Sequence, residues 1–135
     1  MPIMLWDQSL DVGVESMNRE HREILTLMNK IFDAAASGQK GAAINSLVAA
    51  LGQVCAHHFA DEEEYMRVMQ FPGLQPHKLL HQSLLAKYTQ HAAEISAAGG
   101  VAGEEFFRFL KFWLSSHIHG VDMKYGPKAS DAAAA

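Results

Sequence analysis

Two histidines and a run of carboxylates interrupt an otherwise apolar stretch in HHFADEEEYM, residues 57–66. His58 and Glu62 stand one helical turn apart, and HKLLH repeats that spacing with His77 and His81. His21, His117 and Asp122 complete a set of imidazoles and carboxylates whose natural chemistry is the binding of a transition-metal cation. The chain carries 8 histidines in 135 residues, several times ordinary usage, so the spacing of each one matters.

Those side chains need elements to position them. The periodicity predicts four helices, at about 19–37, 42–70, 76–98 and 103–119. Asn18 is expected to cap the first, Pro76 suits the first turn of the third, and Gly120 is expected to end the fourth in a left-handed conformation. A short helical turn is expected near 122–126. Residues 1–17 read as an irregular arm in which Trp6, Leu10 and Val12 or Val14 are available to pack. No strand-like alternation competes. The expected fold class is all-α, an antiparallel up-down-up-down four-helix bundle over residues 1–127, with a disordered tail at 128–135.

On the second helix, Ile44, Val48, Leu51, Cys55, His58, Glu62, Met66 and Met69 step by three or four residues, the period of one buried face. The same spacing links His77, His81, Leu84 and Tyr88, then Phe106, Leu110, Trp113 and His117, and also His21, Ile24, Met28 and Phe32. Each helix therefore turns a histidine inward, near one end of the bundle, and Asp122 can fold back over that end. His57, His91 and His119 fall elsewhere, and Asp61, Glu63 and Glu64 read as a solvated run. Taken singly, each inward histidine is an ordinary hydrogen-bonded core residue. Together, with no Lys or Arg on the stripes, they would leave polar groups unsatisfied at a cost of roughly 1–3 kcal/mol each. A cation removes that cost by using the same lone pairs.

Composition narrows the function. A formal charge of −4 without a cluster of Lys or Arg argues against a nucleic-acid partner. No apolar run is long enough for a transmembrane segment, and the first residues lack the basic flank of a secretory signal. The single cysteine, Cys55, rules out an internal disulfide and makes the cytoplasm the expected location, with a monomer the expected state. Structural zinc prefers thiolates, which are missing, and calcium and magnesium prefer oxygen. Imidazole mixed with carboxylate suits iron, and a carboxylate can bridge two ions. The Glu-x-x-His motif of ferritin-like di-iron sites is absent.

The segments NREH, HFADEE, HKLLH and HIHGVD, together with the Trp6, Leu10 and Val12-Gly13 arm, resemble the single-domain bacterial hemerythrins of the hemerythrin family over almost the whole chain. The resemblance implies two iron ions with an oxo or hydroxo bridge. It assigns His77, His81 and His117 to one iron and His21 and His58 to the other, with Glu62 and Asp122 bridging. The second iron then keeps one position open, which implies reversible O2 binding for carriage, storage or delivery to an O2-consuming enzyme, with no catalytic residue. Ile24, Phe59 and Leu114 are expected to wall the O2 pocket. The alternatives are a di-iron enzyme acting on peroxide or nitric oxide, with Tyr88 or Tyr125 as proton donor, or an oxygen or iron sensor.

Overall fold

The structure, a computed structural model, describes residues 4–120 and 122–125, the last segment without the side chains of Met123 and Tyr125. The expectations for the tail and for Tyr125 fall outside the described set. Four helices follow one another: α1 (Glu15–Ala36), α2 (Ala42–Val68), α3 (Leu74–Ala97) and α4 (Glu104–Gly120). Short connections force consecutive helices antiparallel, as the hydrophobic periods predict.

The inward stripes build the core. Ile24, Met28 and Ile31 of α1, Ile44 and Leu51 of α2, and Leu110 and Leu114 of α4 are all buried. Tyr88 of α3 crosses to α2 and donates its hydroxyl to the Val48 carbonyl at 2.6 Å, satisfying its polar tip inside that core. Cys55 sits on the α2 stripe, where burial pushes its thiol up to about 12, so it behaves as a small hydrophobe.

The arm is more ordered than its sequence indicates. Residues Gln8–Leu10 form a 3-10 turn, and Leu10 and Val12 are buried. Asn29 of α1 holds the arm by both its amide groups, accepting from the Met4 N–H at 3.1 Å and donating to the Met4 carbonyl at 2.8 Å. Arg22 lies 5.2 Å above the Trp6 ring. Asn18 is not the helix cap. α1 starts earlier, after Val14, and the buried Asn18 turns back to accept from the Val12 N–H at 3.0 Å and to donate to Asp11 at 2.7 Å. Its hydrogen bonds fasten the arm rather than the helix end.

Helix stops differ in detail from expectation. α2 ends at Val68, and Gln70 adopts a left-handed φ of 57° while the Phe71 N–H reaches back to the Met66 carbonyl. Gly120 is a helical residue that closes α4, and a 3-10 turn, Asp122–Tyr125, follows it and packs on the same helix. That turn brings Asp122 back to the bundle end.

At the opposite end, two connections touch. The Gly41 N–H donates to the Gly99 carbonyl, and both Gly41 (φ 71°) and Gly100 (φ 78°) have positive φ. A Cβ at Gly100 would lie 2.3 Å from the Gly41 nitrogen, too close for any rotamer to relieve. Gly100→Ala is therefore expected to destabilise the protein by about 2–3 kcal/mol, combining left-handed strain with a backbone clash. Urea unfolding of the two proteins measures this, with Gly38→Ala, where a Cβ meets nothing within 4 Å, separating strain from clash.

Candidate metal centre

Seven side chains meet at the end of the bundle where α1 begins: His21 from α1, His58 and Glu62 from α2, His77 and His81 from α3, His117 from α4 and Asp122 from the turn beyond. All are buried, and Glu62 and Asp122 have no exposed surface at all. The helical period delivers them, since each histidine continues an apolar stripe by one more turn.

Every imidazole enters through Nε2. Glu62 Oε1 lies 2.9 Å from His81, 3.2 Å from His77 and 4.0 Å from His117. Asp122 Oδ1 lies 3.0 Å from His117 and 3.1 Å from His77. The other oxygens face the other way: Glu62 Oε2 is 3.2 Å from His58 and 3.5 Å from His21, and Asp122 Oδ2 is 3.0 Å from His21. The donors thus fall into two groups that share both carboxylates, His77, His81 and His117 in one, His21 and His58 in the other. Within each group the donor atoms lie within 4.8 Å of one another, compact enough to surround a single ion.

Hydrogen bonding does not account for this convergence. Both ring nitrogens of His21, the His81 Nε2 and both oxygens of Asp122 are buried without a hydrogen-bond partner, although His21 Nε2 and Asp122 Oδ2 are only 3.0 Å apart. The Nε2 atoms of His77 and His117 face each other at 3.2 Å. Lone pairs aimed at a common point fit cations, and a set of imidazole and carboxylate without thiolate fits iron. Charge interactions alone are strong here. Burial pushes the His58 imidazole down, but Glu20 and Glu62 overrule it and raise it to about 10. Burial likewise opposes the rise of His77, which Asp122 and Glu62 bring to about 9. Burial and the Glu62 charge oppose ionisation of Asp122, yet His117, His21 and His77 hold it down to about 2.

Two residues that the sequence reading did not assign to the site support it from outside. Glu20 lies 2.7 Å from His58 Nδ1, and Glu63 lies 2.8 Å from His81 Nδ1. Each carboxylate accepts a hydrogen bond from Nδ1–H, which fixes the tautomer and leaves Nε2 as a lone-pair donor toward the cluster. Glu63 is therefore not part of a solvated run. It sits about 100° round α2 from Glu62, which turns it toward α3 and His81. Glu64 does remain on the surface, paired with Arg67. Glu20→Gln and Glu63→Gln are each expected to weaken metal retention by roughly 10–100-fold, measured as the rate of loss to a chelator.

The remaining histidines stay away. His57 is exposed and 3.2 Å from Asp61, His91 packs against Phe109, and His119 lies 3.1 Å from the Ser9 hydroxyl. Ile24, Phe59 and Leu114 are all buried on turns adjoining the cluster, and the Phe59 ring stacks on His81 with centroids 4.0 Å apart.

Comparison with known proteins agrees with the geometry. A family profile described as the hemerythrin HHE cation binding domain matches residues 12–129. The bacteriohemerythrin of Stenotrophomonas maltophilia is 27% identical over 93% of this chain and 80% of its own length. The myohemerythrin of Sipunculus nudus is 31% identical over 92% of each chain. A crystal structure of wild-type hemerythrin superposes with a TM-score of 0.84 at 28% identity, covering 92% of this chain and 95% of that one. A match spanning nearly all of the chain, together with the shared bundle, places this protein in the hemerythrin family.

Proposed function

We propose that this chain binds O2 reversibly at a di-iron centre, with His77, His81 and His117 holding one ion, His21 and His58 the other, and Glu62 and Asp122 shared between them. The observation that carries this reading is the uneven division of the histidines about two common carboxylates. Equal division would complete both ions alike, whereas this one leaves the His21–His58 side a donor short. A pair of iron ions, when bound, supplies a site where a diatomic gas attaches and accepts electron density.

The protein's own residues do the rest. Glu20 and Glu63 keep the His58 and His81 rings in the tautomer that presents Nε2. Ile24, Phe59 and Leu114 are apolar, at most 2% exposed and a turn or less along their helices from His21, His58 and His117, which suits them to wall the cluster against bulk water. Excluding water is what separates a carrier from a centre that decays after one encounter with oxygen.

The test is a visible spectrum of anaerobically reduced protein, taken before air, in air and again after argon. Colour that appears in air and disappears under argon, repeatedly, supports the carrier reading; absence of iron or irreversible change defeats it. Leu114→Ser is expected to shorten the lifetime of the air-exposed colour by at least several-fold, because it brings a hydroxyl into the apolar wall.

A second reading, a di-iron enzyme acting on peroxide or nitric oxide, draws on one further feature. Carboxylate oxygens of Glu20 and Asp61 lie within 4.8 Å of each other, and Asp61 pairs with the exposed His57, so polar groups run from His58 outward. Sustained consumption of either substrate, beyond one equivalent per centre, would favour it.

A further inference from the structure

A cleft of about 250 Å³ opens between α3 and α4 and reaches the ring of His117. Leu84, Phe109 and Trp113 form its walls, and Phe112, 74% exposed, forms an outer lip. A phenylalanine so exposed beside a concave apolar floor is a surface in want of a cover. The cleft is not the approach to the donor-poor side of the cluster. It touches a histidine of the three-histidine group, while His21 and His58 are each only 1% exposed.

Charge says what the occupant is. No carboxylate lines the cleft among the described residues, Lys87 stands at its rim with the Ser83 and Ser116 hydroxyls, and Lys111 lies in the depression on the far side of Phe112. In a chain whose net charge is −4, this face is locally basic. A second copy docking through the same face would bring two lysine-bearing patches of like charge together, which disfavours it. The volume falls just below the roughly 300–1,000 Å³ of drug-sized ligand sites, so the occupant is small. We infer that the α3–α4 cleft binds a small aromatic monocarboxylate, its ring between Phe109, Trp113 and Leu84 and its carboxylate on Lys87. The ligand covers Phe112 and lies against His117. This site stands on its own lining and does not depend on what the cluster holds.

The test is calorimetric titration of the full chain with 2-naphthoate, alongside the neutral 2-naphthalenemethanol. One saturable site is expected, with the acid bound about tenfold more tightly than the alcohol, the lower end of what a charged hydrogen-bond partner contributes. Lys87→Gln is expected to remove that difference, and Ser83→Phe or Leu84→Trp to abolish binding by filling the cleft. Absence of saturation, equal affinities for acid and alcohol, or binding that survives both filling variants overturns the inference. So does sedimentation with phosphatidylglycerol vesicles, or self-association, that is lost in Phe112→Ser while 2-naphthoate fails to bind.

Discussion

Glu62→Ala is expected to cost the protein up to half of its bound iron. Glu62 approaches all five histidines, Oε1 facing His77, His81 and His117, and Oε2 facing His21 and His58, whereas Asp122 approaches three of them, His77, His117 and His21. Without it, the first group still offers three imidazoles and Asp122, a donor set sufficient for one ion. The second keeps only His21, His58 and one oxygen of Asp122, fewer donors than the first, so it should be the first to lose its ion to solvent or a chelator. The loss should therefore be uneven, falling first on the ion that the proposed function needs, so that reversible colour vanishes even where some iron remains. Glu62→Gln retains one oxygen and should fall between the two. Elemental analysis of purified variants measures this, with Glu64→Ala as a control, since Glu64 only pairs with Arg67 at the surface. Full iron content in Glu62→Ala would show that the shared carboxylate does not unite the groups.

The contrast between Glu62 and its neighbours shows what one sequence can reveal. His58 and Glu62 were legible because they fall on an apolar stripe, where a polar residue costs free energy unless something binds it. His21, His77, His81 and His117 follow by the same logic, and the bundle follows from the four stripes that carry them. Glu20 and Glu63 lie off the stripes, and a carboxylate at a helix edge looks the same in sequence whether it faces water or a histidine on the next helix. Only the packing of α2 against α1 and α3 decides it. Asn18 misleads for a related reason. Asparagine favours helix starts because it hydrogen-bonds nearby backbone, and here it bonds the backbone of the arm, one turn inside the helix. The α3–α4 cleft was hidden too, because Phe112 and Lys87 are unremarkable until the fold sets them beside Trp113.

The same cluster gives the metal-depleted protein an inverted response to alkali. His58 and His77 are raised to about 10 and about 9 from an ordinary value of 6.5, against the opposing effect of burial, by Glu20, Glu62 and Asp122. A group with a higher pKa folded than unfolded stabilises the fold fully below its unfolded pKa, and that contribution disappears as pH rises through the folded one. Stability of the depleted protein should thus decline between about pH 6.5 and 10 as protons leave the cluster. Glu62 and Asp122 act in the opposite sense: held below their ordinary values, they stabilise above about pH 4.5, and this is lost as pH falls toward 2. The depleted protein should be most stable between about pH 4.5 and 6.5. In the iron-loaded protein cations take the place of those protons, so the alkaline decline should vanish, and acid should become the destabilising direction as protons displace metal. Urea midpoints across pH 4–10, for chelator-treated and reconstituted samples, compare the two curves. Parallel curves would mean that the buried imidazoles carry neither protons nor metal in the way their geometry requires.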